Sequence, residues 1–192
     1  MCCVKSCLAM LAAGLLLVGC GDLTDDLNPS DKDQRPAVTA GSSGYMPGQL
    51  APDFALQTSV AGEFQLSDYL SGGSQASDAV VLYFTMWCPI CLAHSDHMYN
   101  EVIPQFRGRG SVVYALVDYV SGSVAVARAA ETANGYAGSE FVTLVDAGQA
   151  VMDQFNAAMG TVVVIAPDAT IVINEDYRNG EALTESLDGL LP

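Results

Sequence analysis

The residues best suited to chemistry lie in one short stretch, YFTMWCPICLAHSDHM, which runs from Tyr83 to Met98. It contains the only two cysteines after residue 20, Cys88 and Cys91, and the only two histidines of the chain, His94 and His97. Two thiols three residues apart can form and break a disulfide reversibly, and thiols beside imidazole can bind a soft metal ion. The stretch therefore points to dithiol exchange, to metal binding or to a structural disulfide.

The elements around this stretch follow an alternating pattern. Runs of β-branched and aromatic residues predict buried strands at Val80–Met86, Ser111–Val120, Phe141–Asp146 and Thr161–Pro167. Helical spacing is found between and after them, at 89–106, 123–134, 147–159 and 181–191. A last short strand, Ile171–Ile173, follows a turn at Asp168 and Ala169. The pattern predicts a three-layer α/β/α domain with a central mixed sheet.

This arrangement gives the two cysteines different environments. Cys88 directly follows a central strand, and Pro89 stands where the first helical turn begins, a position that proline tolerates. The helix N-terminus, with its dipole and unpaired N–H groups, favours a thiolate. Cys91 lies one turn further on, where we expect it to be more buried but able to attack a mixed disulfide at Cys88.

The motif resembles that of a known superfamily. YFTMWCPIC is similar to the Trp-Cys-Pro-x-Cys signature of the thioredoxin-like superfamily, with Trp87 in the tryptophan position. The segment Gly48 to Leu70 resembles the opening shared by peroxiredoxins of the AhpC/TSA type and cytochrome-maturation thioredoxins, in which Ala51–Phe54 starts a short hairpin. The resemblance covers Gly48 to Leu191.

The resemblance implies a thioredoxin-like fold and an oxidoreductase or antioxidant activity that uses a redox-active disulfide and no other cofactor. It implies that Cys88 attacks, that Cys91 resolves, and that Trp87 and Pro89 belong to the site. Four further residues are expected to face the substrate: Tyr83, Thr85, Gly160 and Thr161.

Two positions depart from the family pattern. The cis-proline that faces the dithiol in the family is expected near Gly160, but the sequence there reads Met159-Gly160-Thr161. Leu82 stands where classical thioredoxins keep a buried carboxylate for proton handling. His94 lies where cytochrome-maturation relatives carry an acid, so it is either the proton handler or an imidazole on the helix surface.

Two alternative functions remain open. A copper-binding or copper-delivery protein could use Cys88, Cys91 and His94, because helical spacing rotates His97 away from Cys91. A thiol peroxidase of the peroxiredoxin type is the other, since Thr85 precedes Cys88 by three residues, although no proline stands upstream of Thr85 in the same loop. The dispersed methionines, among them Met86 and Met159, are predicted to pack in the core.

The N-terminus predicts export. MCCVKSCLAMLAAGLLLVGC has one positive charge at Lys5, an apolar run from Leu8 to Val18, and small residues before Cys20. Its end resembles the lipobox at which signal peptidase II cleaves lipoproteins. We predict a signal peptide over 1–19, acylation of Cys20, and a location in the bacterial cell envelope, lipid-anchored and facing the periplasm or the exterior.

Composition completes the sequence-based predictions. Loss of Lys5 leaves six basic residues against 22 acidic ones and shifts the formal charge from −15 to −16. Such a charge disfavours nucleic acids and anionic headgroups, so membrane attachment must come from the lipid. The composition of residues 20–48 predicts a flexible tether, and the length of residues 49–192 is that of one domain. We expect a monomer whose partners are exported proteins with disulfides or thiols and a membrane electron donor.

Overall fold

The computed structural model describes residues 37–192. The predicted signal peptide, the acylated Cys20 and the tether up to residue 36 lie outside the described residues. The folded unit spans Val38–Pro192. Within that part of the chain, no helix has the length and apolar character needed to cross a bilayer.

A mixed sheet forms the centre of this unit. The strands of the described residues are β1 (Ala55–Thr58), β2 (Glu63–Gln65), β3 (Ala79–Thr85), β4 (Val112–Asp118), β5 (Phe141–Val145), β6 (Thr161–Ile165) and β7 (Ile171–Asp176). Their order across the sheet is β2-β1-β5-β4-β3-β6-β7. β3, β4 and β5 run parallel, and the remaining pairs are antiparallel. The predicted α/β fold with a mixed central sheet is confirmed.

Helices connect these strands. They are α1 (Leu66–Tyr69), α2 (Pro89–His97), α3 (Ile103–Phe106), α4 (Val124–Ala133), α5 (Ala150–Gln154) and α6 (Glu181–Leu190). A π-helical segment, Met98–Val102, joins α2 to α3, so that the predicted helix over 89–106 is continuous but not uniform. The predicted helix over 123–134 matches α4, where the Ser123 hydroxyl caps the N-terminus by accepting the N–H of Val126.

Alternation along the central strands divides the core between the two faces of the sheet. In β3, Val81 and Tyr83 pack with Cys91 and Met98 on the face covered by α2 and α6. Val80, Leu82 and Phe84 pack on the opposite face with the β1–β2 hairpin and α5. Because neighbouring strand residues point to opposite faces, Leu82 and Tyr83 belong to different cores.

Three segments differ from their predicted bounds. The helix predicted over 147–159 is only α5, since Gln149 before it and Asn156 after it have positive φ of 58° and 46°. β7 continues to Asp176 rather than ending at residue 173. Residues 38–48, assigned to the tether by their composition, lie with the folded unit, where the Gly48 N–H donates to the Ile171 carbonyl at 2.8 Å.

Candidate active site

Cys88 lies at the junction between β3 and α2. It is the N-cap of α2, and its Sγ accepts the backbone N–H of Cys91 at 3.2 Å. Pro89 follows in the first turn, where its missing N–H costs no hydrogen bond. Cys88 is half-buried, whereas Cys91 is fully buried among core residues. The predicted difference in accessibility between the two thiols is therefore present.

The same geometry separates the acidities of the two thiols. Partial burial acts to raise the pKa of Cys88, but hydrogen bonds from the Cys91 thiol and from the backbone N–H groups of Cys91 and Ile90 outweigh it and lower that pKa. Burial raises the pKa of Cys91, and its thiol donates to Cys88. Cys88 is therefore the thiol that ionises first, which suits an attacking nucleophile.

Trp87 is held in an unusual conformation beside the dithiol. Its φ of 59° lies in the left-handed region, which is rarely occupied by a bulky residue. Its indole Nε1–H donates to Asp118 Oδ2 at 2.7 Å, and its backbone N–H donates to Thr85 Oγ1 at 3.1 Å. Asp118 is fully buried, and its other oxygen accepts the N–H groups of Val120 and Ser121. One carboxylate thus fixes both the tryptophan and the loop after β4.

A pair of polar side chains lies on the core side of the cysteines. Tyr83 is 1% exposed, and its hydroxyl is 3.0 Å from Nδ1 of the half-buried His94. Burial and the nearby thiols Cys91 and Cys88 raise the pKa of Tyr83, so its hydroxyl keeps its proton and can donate to His94. Burial lowers the pKa of His94, against an opposing effect of Asp176. His94 is therefore neutral at neutral pH.

Gly160 lies in the segment that faces the dithiol, where the family has a proline. Gly160 has a φ of 85°, donates its N–H to the Phe84 carbonyl at 3.0 Å and accepts the N–H of Tyr177 at 2.9 Å. A Cβ at this position would lie 3.2 Å from Asp176 Oδ1. The described residues contain no cis peptide bond. Two hydrogen bonds thus hold the backbone here, and proline, which has no N–H, could not make the one to Phe84.

The side chain of Met159, in the same segment, contacts the Cys88 sulfur. Its Sδ lies 3.2 Å from Cys88 Sγ, and its side chain is 39% exposed. Met86, two residues before Cys88, is 43% exposed. The prediction that the methionines pack in the core is correct for Met98 and wrong for these two.

The comparisons with known proteins agree with this geometry. The sequence profile of the AhpC/TSA family matches residues 47–177. The chain belongs to the AhpC/TSA family. The suspected relation to thioredoxin-like redoxins is confirmed, and membership of the AhpC/TSA family supports a thiol-based redox activity. No curated protein sequence matches the chain.

Solved structures of thioredoxin-like proteins share the fold. Peroxidoxin BcpB from Mycobacterium tuberculosis is similar with a TM-score of 0.59 at 19% identity, covering 76% of this chain and 96% of that one. A protein from Chlorobium tepidum provisionally named thiol:disulfide interchange protein DsbE gives 0.60 at 20% identity, covering 75% and 96%. MTB dsbF gives 0.56 at 19% identity, covering 71% and 94%.

The four residues expected to face the substrate are buried or partly buried. Tyr83, Thr85 and Gly160 are buried, and the Thr161 hydroxyl accepts the N–H of Ala158 at 2.9 Å. Thr85 already accepts the N–H of Trp87, so its hydroxyl is engaged in holding the turn before the dithiol. Thr161 is the one of the four that is partly exposed, and a role of these residues towards a substrate stays a prediction.

Metal binding at the predicted ligands is not supported. Among residues 37–192, no group of three or more His, Cys, Asp and Glu side chains could hold an ion. His94 is occupied by Tyr83, and His97 Nδ1 is 2.7 Å from the Tyr177 hydroxyl.

Sequence reasoning missed Asp118 and Met159. Asp118 lies within the run Ser111–Val120 that was predicted as a buried strand, and it is the last residue of β4. A buried aspartate needs a hydrogen-bond partner, and this requirement was the signal. No local sequence pattern identifies Met159 as a residue of the site, because its position depends on the loop after α5.

Proposed function

We propose that this AhpC/TSA-family protein is a lipid-anchored, extracytoplasmic thiol–disulfide oxidoreductase that exchanges the Cys88/Cys91 dithiol with disulfides of partner proteins. The observation that supports it best is the half-exposed Cys88 sulfur at the start of α2, bound by the N–H of Cys91 and adjacent to a fully buried second thiol. A structural disulfide would need neither the difference in exposure nor the difference in acidity.

In the first step the Cys88 thiolate attacks one sulfur of the partner's disulfide. A bond forms between Cys88 and that sulfur, the partner's S–S bond breaks, and the second partner sulfur leaves as a thiolate that takes up a proton. The hydrogen bonds that lower the pKa of Cys88 increase the fraction of its sulfur that is present as thiolate.

In the second step Cys91 loses its proton and attacks Cys88. The Cys88–Cys91 disulfide forms, and the first partner sulfur is released as a thiol, so that the partner has gained two electrons and two protons. Because Cys91 is buried with a raised pKa, this step needs a proton acceptor. The Tyr83–His94 pair supports His94 in that role through Tyr83: the Tyr83 oxygen takes the Cys91 proton while the Tyr83 hydroxyl proton passes to Nδ1 of the neutral imidazole.

The cellular setting rests on the sequence. The lipobox at Leu17–Cys20 supports an anchor, and the predicted export supports a compartment in which partner disulfides persist. A membrane electron donor would restore the dithiol. The direction of net electron flow depends on the reduction potential, for which catalytic dithiols span about −300 to −120 mV.

The test uses the full-length chain in detergent, with insulin as the disulfide substrate. Cys88→Ser should abolish reduction, whereas Cys91→Ser should accumulate a mixed disulfide at Cys88 because the resolving thiol is missing. Mass spectrometry of the trapped adduct identifies the bonded cysteine. Unchanged reduction by Cys88→Ser would exclude the mechanism, and faster oxidation by hydrogen peroxide than by insulin would favour a peroxidase.

A further inference from the structure

Two polar side chains from different elements lie against Gly160, in the segment that faces the dithiol. β6 and β7 pair so that Thr161 lies opposite Asp176, which places Asp176 beside Gly160. A Cβ at position 160 would lie 3.2 Å from Asp176 Oδ1 and 3.9 Å from Nδ1 of His94. The Asp176 carboxylate and the His94 imidazole therefore lie close to the same point, which the glycine leaves open.

The missing side chain of Gly160 is what allows this arrangement. A Cβ would be closer to the Asp176 oxygen than an ordinary van der Waals contact, so the carboxylate would have to move away. Since Asp176 is exposed and takes part in none of the ion pairs between described residues, its charge is free to act on His94.

Asp176 is the acidic group among those that face His94. The titratable groups around this imidazole are Tyr83, Tyr177, Asp176, His97 and, beyond Tyr83, the two cysteines Cys88 and Cys91. Burial raises the pKa of both tyrosines, so their hydroxyls keep their protons. Burial lowers the pKa of His94, His97 acts in the same direction, and Asp176 opposes both.

We propose that Asp176 is a positioning residue that stabilises the protonated form of His94 in the second step of exchange. The inference rests on the proposed function, in which Cys91 resolves the mixed disulfide. The Cys91 proton passes to the Tyr83 oxygen, and the Tyr83 proton passes to His94 Nδ1. The Cys88–Cys91 bond forms, the bond from Cys88 to the partner breaks, and the partner leaves as a thiolate that takes a proton from water. His94 then returns its proton to water.

The test measures this second step in the full-length chain in detergent. A fluorescent peptide, activated as its pyridyl disulfide, is joined to Cys88 at about pH 4, where a thiol of lowered pKa still reacts. A jump to higher pH starts the release of the peptide by Cys91. The variant is Asp176→Asn, which removes the charge and keeps the shape of the side chain.

We expect Asp176→Asn to slow release about threefold or more at pH 7, because a less basic imidazole accepts a proton less readily. The loss of rate on acidification should move to lower pH, since His94 without the carboxylate is protonated only at lower pH. The two rates should converge at high pH, where Cys91 ionises unaided. Asp176→Glu keeps the charge and should stay within about twofold of wild type.

Two controls separate an action through His94 from a general effect of charge. Glu175→Gln removes one negative charge from the neighbouring exposed position of β7, whose side chain points to the other face of the sheet, and should leave the pH profile unchanged. In a chain that already carries His94→Gln, Asp176→Asn should cause no further slowing.

A direct measurement follows His94 itself. The chain has only two histidines, so NMR titration of the imidazole C–H signal in a His97→Gln background reports on His94 alone. The pKa of His94 should fall when Asp176→Asn is added.

The outcomes distinguish this inference from the proposed function. Unchanged or faster release in Asp176→Asn, equal slowing in Glu175→Gln, or further slowing in the His94→Gln chain would overturn the role of Asp176 and leave disulfide exchange standing. A wild-type mixed disulfide that releases no peptide at any pH would overturn resolution by Cys91, and the role of Asp176 with it.

Discussion

The two faces of the central sheet differ in how many of their buried aromatic residues are tyrosines. Four buried tyrosines gather on the face covered by α2 and α6, namely Tyr83, Tyr114, Tyr136 and Tyr177, together with two buried phenylalanines, Phe106 and Phe141. Four buried phenylalanines gather on the opposite face, namely Phe54, Phe64, Phe84 and Phe155, with Tyr119 as an exception at its margin. Each buried hydroxyl on the first face, which we name the tyrosine face, needs a hydrogen-bond partner or costs free energy, whereas the phenylalanine rings of the second face, the phenylalanine face, carry no such cost.

Because of this difference, the tyrosine face holds the helix of the candidate site in place, whereas the phenylalanine face contributes mainly to stability. On the tyrosine face, Tyr83 reaches His94, Tyr177 reaches His97, and Tyr136 donates to Asp96 of α2 at 2.6 Å. These bonds tie α2, which begins at the dithiol, to β3, to the end of β7 and to the loop before β5. The phenylalanine face contributes stability through packing alone, so substitutions on the two faces should affect different measurements.

Leu82→Ala should produce the largest loss of stability. Leu82 is fully buried on the phenylalanine face, and removing its side chain should lower the free energy of unfolding by about 2–5 kcal/mol. Chemical denaturation measures this loss. The alkylation rate of Cys88 in the folded fraction should be unchanged, and a changed rate would show that the two faces are coupled.

Gly160→Pro should be nearly as damaging, although it restores the residue type of the family. Proline fixes φ near −65°, whereas Gly160 has a φ of 85°, and the substitution removes the N–H that donates to Phe84. We expect a loss of about 3 kcal/mol or more in the free energy of unfolding. Gly148→Ala is the control for this substitution, because open space surrounds the Cβ that it adds. Gly189→Pro is unsuitable as a control, because it would break α6. Wild-type stability in Gly160→Pro would mean that this loop readily adopts the family conformation.

On the tyrosine face, the sequence predicts the environment of the two cysteines well but does not predict the loop that covers Cys88. The strand before Cys88, the helix after it and the accessible and buried roles of the two cysteines follow from local patterns, and each was found as predicted. The loop through Met159 could not be predicted, because it depends on the early end of α5 and on long-range bonds of Gly160 to Phe84 and Tyr177. Leu82 was placed beneath the dithiol by analogy, but strand alternation turns Tyr83 towards Cys91 instead.

His94→Gln should slow the second step of exchange in a way that depends on pH. The pKa of His94 is lowered by burial, so the imidazole is neutral and can accept a proton at pH 7. We expect a slowing of about tenfold or more at pH 7 in the release of a peptide from a preformed mixed disulfide at Cys88. The difference should shrink at high pH, where Cys91 ionises unaided, and at low pH, where His94 is protonated.

Two variants sharpen this result. Tyr83→Phe should give the same pH profile as His94→Gln, because it removes the hydroxyl that links His94 to the core. His97→Gln is the matched control, since His97 lies one turn further along α2 and bonds to Tyr177. If His94→Gln slowed release equally at every pH, its role would be structural only.

The smallest effect is expected at Tyr114, on the tyrosine face but at the end of the sheet away from Cys88. Its hydroxyl is buried without a hydrogen-bond partner among the described residues, and burial raises its pKa to about 12. Tyr114→Phe removes this unsatisfied group, so the free energy of unfolding should stay within about 0.5 kcal/mol of wild type or rise by up to about 1 kcal/mol. Tyr136→Phe, which breaks the bond to Asp96, should instead cost about 1–3 kcal/mol. A marked loss in Tyr114→Phe would show that this hydroxyl has a partner in solution, and the cavity of about 280 Å³ that it lines with Arg107 and Glu140 would then hold ordered water.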